Sequence, residues 1–202
     1  MRIERLSPAS YRDLVQPDRV HGSLYTEPYV FEDELDRIFS RGWVFVAHDS
    51  ELPNPGDYIT RTVGRQHYLV VRGQDGAVNV FFNRCTHRGN LLCNQAAGSS
   101  KSFTCPYHGW AFSLGGELQD VPHAGGFEKD WAKLGLDLPR SGSYRGFIFA
   151  SAAHDGISLD EHLGRAKELI DRACDLSPTG QLRLTAGWVR HEYGANWKML
   201  PE

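Results

Sequence analysis

The sequence has no apolar stretch long enough to cross a bilayer. Its longest runs, at residues 43–47 and 146–153, hold only a handful of residues, where a spanning helix needs about 20. It has no excess of charge: 22 Lys and Arg against 25 Asp and Glu leave a net −3, mixed along the chain. No basic nucleic-acid face and no acidic tail is therefore expected. The opening residues, MRIERLSPASYRDL, lack an apolar core and a small-residue cleavage site. No secretory signal is read there, and the expected location is cytoplasmic. Cysteine is scarce, with only Cys85, Cys93, Cys105 and Cys174. In a cytosolic chain these are expected as thiols, for metal binding or catalysis rather than disulfides. There are no internal repeats and no low-complexity segment.

What is present is an ordinary soluble composition, 41% apolar and 23% charged, over a length that can bury a sizeable core. Phe31, Leu35, Ile38 and Phe39 recur at helical spacing, predicting a helix over 31–42 stopped by Gly42. Its apolar stripe reads as core or a subunit contact. Residues 43–47 read as a buried strand. Residues 67–72 and 77–83 read as a hairpin closed by Gly73-Gln74-Asp75-Gly76. Trp110-Ala111-Phe112 and Glu117-Leu118 flank Gly115-Gly116 as another, and residues 146–150 as a further strand. Ser158-Leu159-Asp160-Glu161 has the form of a capping box, with a helix expected from there to Cys174. Residues 182–193 alternate as a strand would, and Asn196 could cap one more helix. The expected organisation is a helical arm at 1–42, an all-β domain of small antiparallel sheets at 43–151, and a helix-containing segment at 152–202.

Two short segments carry the chemistry: Arg84-Cys85-Thr86-His87-Arg88-Gly89-Asn90 and Cys105-Pro106-Tyr107-His108-Gly109-Trp110. The spacing is C-x-H, seventeen residues, then C-x-x-H. Two thiolates and two imidazoles can hold one zinc or a two-iron, two-sulfide cluster. A zinc finger usually brings its cysteines as one pair and its histidines as another. Here each segment offers one of each. That suits a mixed cluster with two cysteines on one iron and two histidines on the other, built by two facing loop tips. Gly89, Pro106 and Gly109 suit tight turns that turn backbone N–H groups toward the sulfides.

These segments resemble the Rieske motif of the α subunits of aromatic-ring-hydroxylating oxygenases, in the four ligands Cys85, His87, Cys105 and His108, both glycines, and Trp110 after the second His-Gly. Asn196-Trp197-Lys198 resembles the opening of that family's catalytic domain. The resemblance covers residues 25–202 and is strongest over 80–120. It implies a mainly β fold: a Rieske [2Fe-2S] domain at 43–151, with the start of an α+β catalytic domain at 152–202. It implies electrons arriving from a ferredoxin or reductase. They pass through the cluster to a mononuclear Fe(II), which activates O₂ to hydroxylate an aromatic substrate, in an α3 or α3β3 oligomer. The bridging acid and the iron ligands of that family would lie after Glu202, so an amino-terminal portion of an α subunit is expected, without oxygenation of its own.

Respiratory Rieske proteins carry a disulfide between the loops and a serine after the second His-Gly. Asn90, Tyr107 and Trp110 stand at those positions here. No such disulfide is expected, and the potential is expected at the low end of the Rieske range, falling at alkaline pH. Arg88, Tyr107 and Trp110 are candidates for tuning the centre. Each also has a plainer reading: a surface charge for Arg88, aromatic packing for Tyr107 and Trp110. Cys93 and Cys174 read as small buried side chains, and the other seven histidines as surface or satisfied core. Three other functions compete: a stand-alone Rieske ferredoxin, a Rieske monooxygenase or demethylase, and a zinc-binding interaction module. The residues on both sides of the β domain weigh against the simple carrier.

Overall fold

The computed structural model describes residues 8–125, 130–184, 187, 189 and 191–200. Residues 8–39 hold helix α1 (Pro8–Arg12), a hairpin of β1 (Val15–Gln16) and β2 (Arg19–Val20), α2 (Ser23–Thr26) and α3 (Pro28–Glu34), which widens into a π-turn over Leu35–Phe39. Strands β3 (Val44–His48), β4 (Asp57–Val63), β5 (Gln66–Arg72), β6 (Val78–Phe82), β7 (Ala97–Ser99), β8 (Phe103–Thr104), β9 (Ala111–Phe112), β10 (Leu118–Asp120), β11 (Arg140–Tyr144) and β12 (Phe147–Ser151) follow. Helices α4 (Leu159–Leu163) and α5 (Ala166–Asp175) and a 3-10 turn at Trp197–Met199 complete the described chain.

The strands form three small antiparallel sheets besides the two-stranded one in the arm, with orders β6-β5-β4-β7, β10-β9-β8 and β11-β12-β3. The four-stranded sheet is the partition. Its central strand β5 reads Tyr68-Leu69-Val70-Val71 without a polar break, and all four are fully buried. Side chains alternate along a strand, so Leu69 and Val71 enter one core and Tyr68 and Val70 the other. The first core holds Cys85, Cys105, Trp110 and Phe112; the second holds Val46, Leu52, Ile148 and Ala150. A strand covered on both faces explains the continuous apolar run.

One buried group in the second core is unsatisfied. The Tyr68 hydroxyl finds no partner among the described residues, and burial pushes its pKa up to about 12. Tyr68→Phe is expected to be neutral or stabilising by about 1 kcal/mol at pH 7, read from urea melts, because no hydrogen bond is lost. The sign with pH follows from linkage. A phenol held above its unfolded value of about 10 contributes stability that is complete below pH 10. That stability is lost as pH rises toward 12. The Phe variant should lose less between those two pH values.

Four expectations are corrected. The arm is not purely helical: Pro17-Asp18 turns the short β1–β2 hairpin. The helix expected over 31–42 begins at Pro28, where proline suits a first turn, and its inner face differs. Val30, Asp33, Glu34 and Leu35 are buried, while Phe31 and Ile38 are exposed, because Asp33 pairs with Tyr11 and Arg37 inside the arm and Glu34 with Trp197 and Lys198 beyond it. Gly42 does sit at the stop: a Cβ there would lie 2.8 Å from the Ile38 carbonyl oxygen. The single helix expected over 159–174 breaks at Gly164, whose φ of +44° takes it out of the helical region; the Ser158 capping box forms as read. The strand expected over 182–193 pairs with nothing among its described residues. Leu184 N–H donates to Ser50 Oγ at 2.9 Å instead. Residues 185, 186, 188 and 190 of that stretch lie outside the described residues. Alternation permits a strand, but an open partner edge is also required.

Candidate metal centre

Two loops project from the hairpins of the first core, 85–90 after β6 and 105–110 between β8 and β9. They share one backbone design. In each, the cysteine N–H donates to the carbonyl five residues on, Cys85 to Asn90 at 2.8 Å and Cys105 to Trp110 at 2.7 Å. In each, a glycine N–H returns to the cysteine carbonyl, Gly89 at 2.8 Å and Gly109 at 3.0 Å. Both glycines are left-handed, with φ of +70° and +75°, which side chains disfavour. A Cβ on Gly109 would also meet Pro122 at 2.8 Å.

Across these two turns Cys85 pairs with Cys105 and His87 with His108. Cys85 and Cys105 are each 2% exposed. Burial pushes the Cys85 thiol up, the His87 N–H pulls the other way, and the neighbouring Cys105 adds to the rise. The His87 and His108 rings lie 4.6 Å apart at 65°, both half-buried. Two thiols and two imidazoles, offered as separate pairs, have the chemistry of the donor set of a mixed-ligand two-iron cluster.

The surrounding residues hold the two rings unequally. Trp110, buried at 5% exposure, stacks parallel on His87 at 4.7 Å and 6°. Tyr107 is 60% exposed and lies 3.8 Å from the His108 ring. Arg88 is exposed; its backbone N–H, with that of His87, bonds toward the Cys85 sulfur. Cys93 is half-buried, with Sγ 3.8 Å from the Gln95 carbonyl, and Cys174 is fully buried.

Sequence reading passed over two supports of the first loop. Asn83, 3% exposed, donates from Nδ2 to the Cys93 carbonyl at 2.7 Å and accepts the Cys93 N–H at 2.9 Å. Thr86 donates from Oγ1 to the Leu134 carbonyl at 2.7 Å. No periodicity marks either residue; only adjacency to Cys85 could have drawn attention to them. Asn83→Ala strands both backbone groups of Cys93, and is expected to cost about 2–3 kcal/mol in urea melts. The iron content after reconstitution should fall with it.

Residues 42–132 match the family described as the Rieske [2Fe-2S] domain. The chain carries a Rieske domain. Beyond that domain, it is homologous over most of its length to the large subunits of aromatic-ring dioxygenases. It is 36% identical over 213 aligned positions to the 2-halobenzoate 1,2-dioxygenase large subunit of Burkholderia cepacia, covering 98% of this chain and 46% of that one. To the anthranilate 1,2-dioxygenase large subunit of Acinetobacter baylyi it is 38% identical over 187 positions, covering 91% and 40%. The Rieske chain also resembles the crystal structure of naphthalene 1,2-dioxygenase from Rhodococcus sp. bound to indole, with a TM-score of 0.78 and 34% identity over 85% of this chain and 40% of that one. A quaternary ammonium Rieske monooxygenase in complex with L-carnitine gives a TM-score of 0.72 at 32% identity over 86% and 50%. The chain spans less than half the length of the curated relatives it matches. No described helix is long and apolar enough to cross a membrane.

Proposed function

We propose that Cys85, His87, Cys105 and His108 hold the Rieske cluster, both thiolates on one iron and both imidazoles on the other. On this reading the chain is the electron-transferring portion of a ring-hydroxylating dioxygenase α subunit. The observation that supports it is the pair of matching loops, across which one buried thiol faces another and one half-exposed imidazole another. The proposed division is an arm at 1–42, the Rieske domain at 43–151 and the start of a catalytic domain at 152–202. Its partners are a ferredoxin or reductase as electron donor, with O₂ and an aromatic substrate at a mononuclear Fe(II) held outside residues 1–202. Assembly as α3 or α3β3 and a cytoplasmic location belong to the same proposal.

When bound, the cluster supplies a one-electron carrier whose potential is raised by its two neutral ligands. The chain's own residues make that carrier usable. Burial keeps water from the sulfurs of Cys85 and Cys105. The N–H groups of His87 and Arg88 stabilise the Cys85 thiolate, opposing the effect of burial. Trp110 fixes the plane of the His87 ring by stacking on it. The half-exposed edges of His87 and His108, with Tyr107 and Arg88 beside them, are the surface through which a partner can be approached. Anaerobic reconstitution with iron and sulfide tests the reading. A reduced sample should show the paramagnetic signal of a mixed-ligand cluster, and a natural reductase should be able to produce it. Uptake of zinc without inorganic sulfide would overturn the assignment.

A further inference from the structure

The arm helix turns acid inward. Phe31 and Ile38 are 43% and 47% exposed, whereas Asp33 and Glu34 are 3% and 9% exposed. A buried carboxylate is costly unless it is paired and hydrogen-bonded. Asp33 is held within the arm: its Oδ2 accepts from the Tyr11 hydroxyl at 2.9 Å and lies 3.3 Å from Arg37. Glu34 reaches out of the arm altogether. It accepts from Trp197 Nε1 at 2.9 Å and pairs with Lys198 Nζ, residues 163 and 164 positions further along.

The contacts around that pair point the same way. Trp197 packs edge-on against Phe39 at 5.1 Å. The Lys198 ammonium lies 5.4 Å over the Tyr25 ring, and Asn196 Nδ2 donates to the Tyr25 carbonyl at 3.4 Å. Asn196 Oδ1 caps the turn by accepting the Lys198 N–H at 3.1 Å. Three consecutive residues thus each send a side-chain donor to the arm. The arm in turn docks on the β4–β5 turn. A Cβ on Gly64 would lie 2.9 Å from Phe39, and Arg65 pairs with Glu32 and Asp36. From that turn, β5 and β6 lead directly to the first cluster loop.

Resting on the electron-delivery role proposed above, we propose that Glu34 is a positioning residue. It clamps residues 196–200 to the arm and so fixes that segment relative to the cluster loops, without touching the cluster. An exposed ion pair would contribute little to such a task. Glu34 is buried, receives two donors, and sits in a frame of aromatic rings.

Hydrogen exchange on the reconstituted 202-residue chain tests this. Glu34→Ala should speed exchange at the amides of Lys198, Met199 and Leu200 about tenfold. Lys198→Met should act in the same direction, and the double variant should fall short of the sum, as for residues in one network. Glu34→Gln keeps an acceptor for Trp197 and should lie between wild type and Glu34→Ala. Amides of β5 and the paramagnetic signal of the reduced cluster should not change. Unaltered exchange at 198–200 in Glu34→Ala would overturn the proposal. So would an equal rise in β5, since that reports general loosening. A chain that binds no cluster would instead defeat the electron-delivery reading, with the exchange comparison still readable by itself.

Discussion

Cys105→Ser is expected to abolish the visible absorption of the reconstituted cluster, while Cys93→Ser should retain all of it. The two thiols are only twelve positions apart in sequence, yet they occupy different places. Cys105 is 2% exposed and lies beside Cys85, close enough to raise its pKa. Cys93 is half-buried against the backbone, outside the two loops. A hydroxyl is a poor substitute for a thiolate on iron, so one ligand position lost should mean cluster lost. Iron and acid-labile sulfide assays on both variants check this. Equal loss in both would show that the ligand set has been misassigned.

The second large effect falls on Trp110. Its indole belongs to the first core and stacks on His87 as well. Trp110→Ala removes a buried aromatic from a close-packed site and should destabilise the apo chain by about 3–5 kcal/mol. Trp110→Phe keeps most of the volume and should keep the fold. Its smaller ring changes the stack on His87, so the reduction potential should move while the melting temperature changes little. A variant with unchanged potential and lowered stability would assign Trp110 to packing alone.

The two matching turns were legible because each carries its cysteine, histidine and glycine within five residues. The β5–β6 hairpin was legible for a similar reason: Gly73 and Gly76 bracket the turn, and the strands are apolar and β-branched. The inner face of the arm was not legible. The stripe of Phe31, Leu35, Ile38 and Phe39 gave no sign that Asp33 and Glu34 turn inward, because the partners of Glu34 lie more than 160 positions away. Gly164 sat within a plausible helical stripe, and only its backbone angle shows the break. Asn83 left no signal either, since its value lies in two bonds to the backbone of Cys93.

The partition made by β5 has a consequence for how the protein survives loss of its iron. Only one side of that wall contains the cysteines and histidines of the loops; the other is closed by aliphatic and aromatic packing that owes nothing to metal. An emptied chain should therefore keep a pre-shaped socket mounted on an intact half. Damage by oxygen would then be repaired by refilling in place, without the polypeptide having to be made again.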